Sequence, residues 1–235
     1  MSQTVSASQK RTDAQPIART GYRKGEETRR RILDTALKAF GEAPFRTVTT
    51  RQISEEAAVS LPTLQYYFGD KEGLYRACAE TLVERYRRQA SAAATKANAA
   101  LSDGCTAEAA RSHLKAVIGA LAELLVGSSD VQRWAQFVGR ELRDPGPAFD
   151  ILFEKLWQPG VETTTRLIGR IRGSARGDQA DRVQALLLIS SLLAFQPGRS
   201  ISMRAMRWST IGPQELAMVL AGLNAQIDAI GSRKR

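Results

Sequence analysis

Between Thr49 and Leu74 the chain reads TTRQISEEAAVSLPTLQYYFGDKEGL, and few folds can accommodate that string. Ile53 and Ala57 lie one helical turn apart, which predicts a short helix over roughly 50–57 with one apolar face. Ala58, Val59 and Ser60 make a turn. The Ser60 hydroxyl is placed to accept a hydrogen bond from a free N–H of the next helix, and Pro62 suits its first turn, where a missing N–H does little harm. Leu64 and Phe68, again one turn apart, point back at the first helix. Two short helices joined by a tight turn form a helix-turn-helix, whose second helix enters the major groove of DNA.

The other face of that second helix carries Thr63, Gln65, Tyr66 and Tyr67. Thr63, Gln65 and Tyr66 are the expected base-edge contacts. Gln pairs bidentately with adenine, and a Thr methyl meets the methyl of thymine. Thr50 and the adjacent Arg51 open the preceding helix, where free N–H groups, a hydroxyl and the helix dipole favour phosphate. Asp70 caps a further helix and Lys71 stands at its head.

The segment from about Glu26 to Tyr75 resembles the DNA-binding domain of TetR-family transcriptional regulators. The resemblance is carried by a helix beginning near Thr28, the Thr49-x-x-x-Ile53 entry, the Val59-Ser60-x-x-Thr63-Leu64-x-x-Tyr67-Phe68 helix, and Lys71-Glu72-x-Leu74. One departure is Gln65, where many members carry an aromatic residue. The run from Leu64 to Tyr75, LQYYFGDKEGLY, is similar to the CecR-like branch. The resemblance implies that Tyr67 and Lys71 contact phosphate. It also implies an all-α protein with an N-terminal helix-turn-helix domain and a larger C-terminal helical domain that binds an effector and dimerises.

The net charge of +10 over 235 residues agrees with a nucleic-acid partner, but its distribution matters more than its size. Residues 1–25 carry Lys10, Arg11, Arg19, Arg23 and Lys24 against Asp13 alone, whereas residues 26–90 carry eleven basic side chains against ten acidic. The expectation of DNA binding therefore rests on the motif. No stretch has eighteen consecutive apolar residues, so no membrane partner is expected. The N-terminus has no apolar signal core, which predicts a cytoplasmic protein. Cys78 and Cys105 have no metal-ligand spacing and read as reduced structural thiols. No catalytic constellation appears: His113 stands alone on an amphipathic helix, and there is no glycine-rich phosphate loop. Neither an enzyme nor a bound cofactor is predicted.

The expected organisation is a disordered basic tail at 1–24, a helix-turn-helix domain at 25–72 and a helical effector and dimerisation domain at 73–235. The tail has too few apolar side chains to fold, though Arg19, Arg23 and Lys24 would suit an arm reaching DNA. The first helix is predicted from Glu26 to Gly41, with Ile32, Leu33, Ala36, Leu37 and Phe40 on one stripe. A long helix from Asp70 passes Tyr86 with Leu74, Ala77, Cys78, Leu82 and Tyr86 as its buried stripe, and Gly104 breaks the alanine-rich stretch that follows. Further helices are predicted over His113–Val126, Val131–Leu142, Phe149–Ile171 with a kink or restart at Pro159, Val183–Phe195 and Pro213–Ile230.

Val183–Phe195 is apolar on nearly every face, so it needs cover on two sides. Its own domain supplies one, and a second subunit with the last helix alongside would supply the other in a four-helix dimer bundle. A two-fold protein reads an inverted repeat. Trp134, Phe137, Phe153 and Trp157, interleaved with Arg140 and Glu141, are the expected lining of an effector pocket for an amphipathic or aromatic small molecule. Met203 and Trp208 are weaker candidates. The reading as a whole is a ligand-responsive homodimeric repressor of an inverted-repeat operator. The alternative is an architectural DNA-binding protein whose middle helices are solid core.

Overall fold

The computed structural model describes residues 17–127, 131–174, 177–196 and 198–231, with backbone only for 17–22 and 131–133. The order is α1 (Ile17–Glu42), α2 (Thr50–Glu56), α3 (Leu61–Phe68), α4 (Lys71–Ser102), α5 (Ala107–Ala122), a π-helical turn (Glu123–Gly127), α6 (Val131–Arg143) and α7 (Phe149–Leu152). A second π-helical turn (Phe153–Trp157), α8 (Gln158–Arg172), α9 (Gln179–Ser190), a 3-10 turn (Ser191–Phe195), α10 (Arg199–Met206) and α11 (Pro213–Asp228) follow. The fold is all-α, with no strand among the described residues.

Local signals place the small N-terminal helices. Thr49, Ser60 and Asp70 cap α2, α3 and α4, accepting from the N–H groups of Gln52, Thr63 and Gly73 at 3.2, 3.2 and 2.8 Å. Each such cap contributes about 1 kcal/mol. The expected stripe of α1 is buried in full, and Ile53, Ala57, Leu64 and Phe68 close over it.

α1 begins at Ile17 rather than at Glu26, so residues 17–24 belong to a helix and not to the expected disordered tail; the remainder of that tail, 1–16, lies outside the described residues. Gly25 argues against a helix on propensity alone. Its real reason is close approach. A Cβ there would lie 3.3 Å from the Tyr67 hydroxyl oxygen, so the glycine lets α3 and α1 meet.

The buried stripe of α4 also differs from expectation. Tyr75, Ala79 and Val83 join Leu74, Cys78 and Leu82 inside, while Ala77 and Tyr86 are only partly covered. The stripe is wide because α4 packs against α1 on one side and α7 on the other. Burial raises the Cys78 thiol well above its usual pKa, in keeping with an inert, structural thiol.

Two cores result. The first unites α1–α3 and the N-terminal half of α4 with Leu124, Trp134, Phe137, Ala148 and Leu152 from beyond residue 72. The second joins the distal half of α4 to α5, α8, α9 and α11, with Tyr86 and Leu125 touching both cores. Packing therefore crosses the expected boundary at 72/73. α5 starts at Ala107, six residues before His113, because Thr106 caps it by accepting from Ala109 N–H at 3.2 Å. The restart expected at Pro159 is present: Pro159 occupies the first turn of α8, directly after a π-helical turn. Gly104 breaks the chain after α4 in the left-handed region, with φ +73°.

Ala58 adopts φ +51° in the α2–α3 turn, a conformation that suits glycine. Ala58→Gly should raise the free energy of unfolding by about 0.5–1 kcal/mol, measured by chemical denaturation. A loss of stability would show that the turn is not strained.

Candidate nucleic-acid interface

The outer face of α3 is built from inside. Ile53, Leu64 and Phe68 anchor the pair in the first core, the Arg29 guanidinium lies 5.5 Å from the Phe68 ring centroid, and Arg31 Nε donates to the Ala57 carbonyl at 2.8 Å. α1 therefore grips the turn and orients everything α3 presents.

On that face Gln65 is exposed, and Tyr66 is 84% exposed, so Tyr66 is not a core residue. Tyr67 is half-buried, edge-on to Tyr66 with centroids 5.3 Å apart, and its hydroxyl abuts Gly25. Thr63 and Ser60 share a hydrogen bond between hydroxyls at 2.8 Å, so the cap engages the Thr63 hydroxyl. Thr50 is the first residue of α2. Arg51 is exposed and pairs with Glu55 at 3.1 Å, a surface pair worth under about 1 kcal/mol that a phosphate can displace. Lys71 Nζ stands 4.5 Å over the Phe45 ring and 3.4 Å from the Arg46 carbonyl. Partial desolvation pulls its pKa below the ordinary lysine value. All seven candidate DNA-contacting residues thus belong to one continuous unit, α2 to the head of α4.

Residues 32–78 match the family described as bacterial regulatory proteins, tetR family, and residues 110–231, just over half of the chain, match the CecR C-terminal domain. The chain belongs to the TetR family, with a CecR-type C-terminal domain. It is 27% identical over 209 residues to the HTH-type transcriptional dual regulator CecR of Shigella flexneri, covering 88% of this chain and 92% of that one. It is 28% identical over 121 residues to the HTH-type transcriptional regulator BetI of Burkholderia mallei, covering 51% and 57%. Among solved structures, a TetR-like regulator from Rhodococcus sp. RHA1 superposes with a TM-score of 0.57 at 17% identity, over 86% of this chain and 96% of that one. Mycobacterium smegmatis AmtR gives 0.54 at 18% identity, over 87% and 86%. These relatives are transcriptional regulators, and this TetR-family chain is a DNA-binding regulator, not an enzyme.

The expected effector residues of this TetR-family protein separate into two groups. Trp134, Phe137, Arg140 and Glu141 lie on α6 at the junction with the DNA-binding unit. Trp134 and Phe137 are core, Arg140 Nη2 donates to the Gly41 carbonyl at 3.1 Å, and the Glu141 carboxylate accepts from the Tyr75 hydroxyl. Phe153 and Trp157 sit on the second π-helical turn, Phe153 at 44% exposure and Trp157 half-buried, both beside Phe149. None of the six lines either of two open clefts on the described residues. The larger of these, about 860 Å³, is an open groove between α1 and α4 walled by charges including Arg30, Glu84, Arg87 and Lys155. The other, about 500 Å³, is lined by Glu27, Arg30, Arg31, Asp34, Thr35, Lys38 and Glu56.

Sequence reading missed the polar set between α4 and α8. Asn98 Nδ2 donates to Thr163 Oγ1 at 3.1 Å, and Arg166 Nη1 donates to Asn98 Oδ1 at 3.3 Å. Beside them Thr164 Oγ1 is buried without a hydrogen-bond partner among the described residues. Three consecutive buried threonines, Thr163 to Thr165, are the signal that was available.

Lys71→Ala should lower the slope of log affinity against log salt by about one unit; an unchanged slope would remove Lys71 from the phosphate contacts. Tyr67→Ala should weaken binding to all sequences alike with little change in slope, since the phenol is neutral.

Proposed function

We propose that this TetR-family chain is a homodimeric, effector-responsive repressor that binds an inverted-repeat operator in the cytoplasm. The observation that carries the dimer is the outer row of α9. Ala185 and Leu188 face the core, while Val183, Leu186 and Leu187 are exposed at 52%, 47% and 60%. Met218 of α11 and Leu193 of the 3-10 turn are also exposed, at 46% and 40%. A row of large aliphatic side chains open to water is costly unless covered, and a second copy covers it isologously.

α9 ends at Ser190 rather than running to Phe195. The Ser191 hydroxyl donates to the Leu187 carbonyl at 3.1 Å, a back-bond of the kind that bends helices, and the chain tightens into a 3-10 turn. The apolar row continues across that bend.

Effector response draws its support from the C-terminal domain's irregular and incompletely satisfied interior. Two π-helical turns interrupt the helices around α6 and α7, and such turns recur at functional sites. Trp134 Nε1 and Thr164 Oγ1 are buried without partners among the described residues, and orphaned buried donors are usually satisfied by water or a ligand. Trp134, Phe137, Arg140, Glu141, Phe153 and Trp157 remain the proposed contacts for an amphipathic or aromatic small molecule. Its entry would shift α4 and α6 and move the two recognition helices out of register with successive major grooves. Operator affinity would fall by about 1–3 kcal/mol of coupling free energy.

Selection of DNA from a random pool with the full-length protein should recover an inverted repeat. Leu187→Asp should convert the dimer to monomers by analytical ultracentrifugation and abolish tight binding to that repeat. A Leu187→Asp protein that stays dimeric would place the interface elsewhere. Compounds found by thermal shift should release the operator; affinity unchanged at saturation with every binder would favour an architectural protein without an effector.

A further inference from the structure

The geometry points to Glu141 as the positioning residue that sets the angle of the DNA-binding unit on the C-terminal domain, acting through Tyr75. Glu141 is 1% exposed, in the last turn of α6. One carboxylate oxygen accepts from the Tyr75 hydroxyl on α4, and the other accepts from the Gly146 N–H at 3.2 Å in the α6–α7 loop. The loop is shaped to the carboxylate, since a Cβ on Gly146 would lie 2.7 Å from Glu141 Oε1. One residue earlier, Arg140 donates to the Gly41 carbonyl in the last turn of α1, where helix carbonyls lack internal partners.

The surroundings make these bonds directional. Tyr75 sits among the rings of Phe40, Phe45 and Phe137, with centroids 4.7, 4.7 and 4.9 Å away. Apolar contact alone is non-directional, and an aromatic cluster admits neighbouring registers of similar energy. A carboxylate buried there is tolerated only where its acceptors are satisfied, which happens in one register of α6 against α1 and α4. Burial, reinforced by the hydrogen bond and the negative charge of Glu141, raises the Tyr75 pKa well above the ordinary phenol value, so the hydroxyl remains the donor. In a dimer, the angle at this junction becomes the separation of the two recognition helices.

The inference rests on the dimeric-operator reading, and the test separates the two. The full-length protein is assayed against its selected operator, against versions with the half-sites one and two base pairs closer or farther, and against a single half-site. The wild type should show a sharp spacing optimum. Tyr75→Phe, which removes one hydroxyl, and Gly146→Ala, whose Cβ would press on Glu141 Oε1, should flatten it, with discrimination between spacings falling about fivefold or more. Single half-site affinity should be unchanged, because neither residue belongs to the DNA-contacting face. A wild-type optimum retained by both folded variants overturns the positioning role alone. Loss of half-site affinity in parallel with spacing preference overturns it too, since that pattern marks a merely structural role. A wild type indifferent to spacing overturns the dimeric-operator reading and the inference with it.

Discussion

The contact on which the molecule depends is the packing of α6 against α1, with α6 also bonded to α4 through Tyr75 and Glu141. A three-helix unit of this size has little interior of its own. Phe40, Phe45 and Tyr75 find their remaining neighbours in Phe137, with Trp134, Ala148 and Leu152 in the same core. The DNA-binding unit thus shares its core with helices of the C-terminal domain. Any displacement of α6 is felt by α1, and α1 holds the turn before α3 through Arg31 and the end of α3 through Arg29. That chain of contacts is short and made of packed, bonded groups.

The recognition surface has a different economy. Its core side is apolar and fully engaged, and its outer side is polar, aromatic and nearly charge-balanced within the unit. In the proposed reading, affinity for phosphate would come from a few placed groups: Thr50 at a helix start, Arg51 once it leaves Glu55, Tyr67 against Gly25 and Lys71 over Phe45. Arg23 and Lys24, exposed on the N-terminal turns of α1 beyond Gly25, add positive charge beside α3.

At the opposite end, α9 divides its apolar side chains between a buried row and an exposed one. The capping box of Asp178 and Asp181 fixes where the helix begins, with the buried Asp181 held by Arg172 at 2.8 Å. That start sets the phase, so Ala185 and Leu188 turn inward and Val183, Leu186 and Leu187 turn outward. The face proposed for a second copy follows from that phase.

Much of this was legible in the residues because it is local. Caps at Ser60 and Asp70, the one-turn pairs Ile53/Ala57 and Leu64/Phe68, and the breaks at Gly104 and Pro159 are written in neighbouring positions, where hydrogen-bond reach and helical period decide the outcome. The helix-turn-helix came from them; the all-α class also needed the helical periodicity of the rest of the chain and the TetR-like resemblance. Partners distant in the chain were not legible. Tyr75 falls outside the expected buried stripe of its helix, and Glu141 reads as a polar group in a pocket, until the fold brings them together across 66 residues and buries both. Periodicity shows which side of a helix is apolar, but only the tertiary structure decided which neighbour that side would meet and which polar group would be trapped between them.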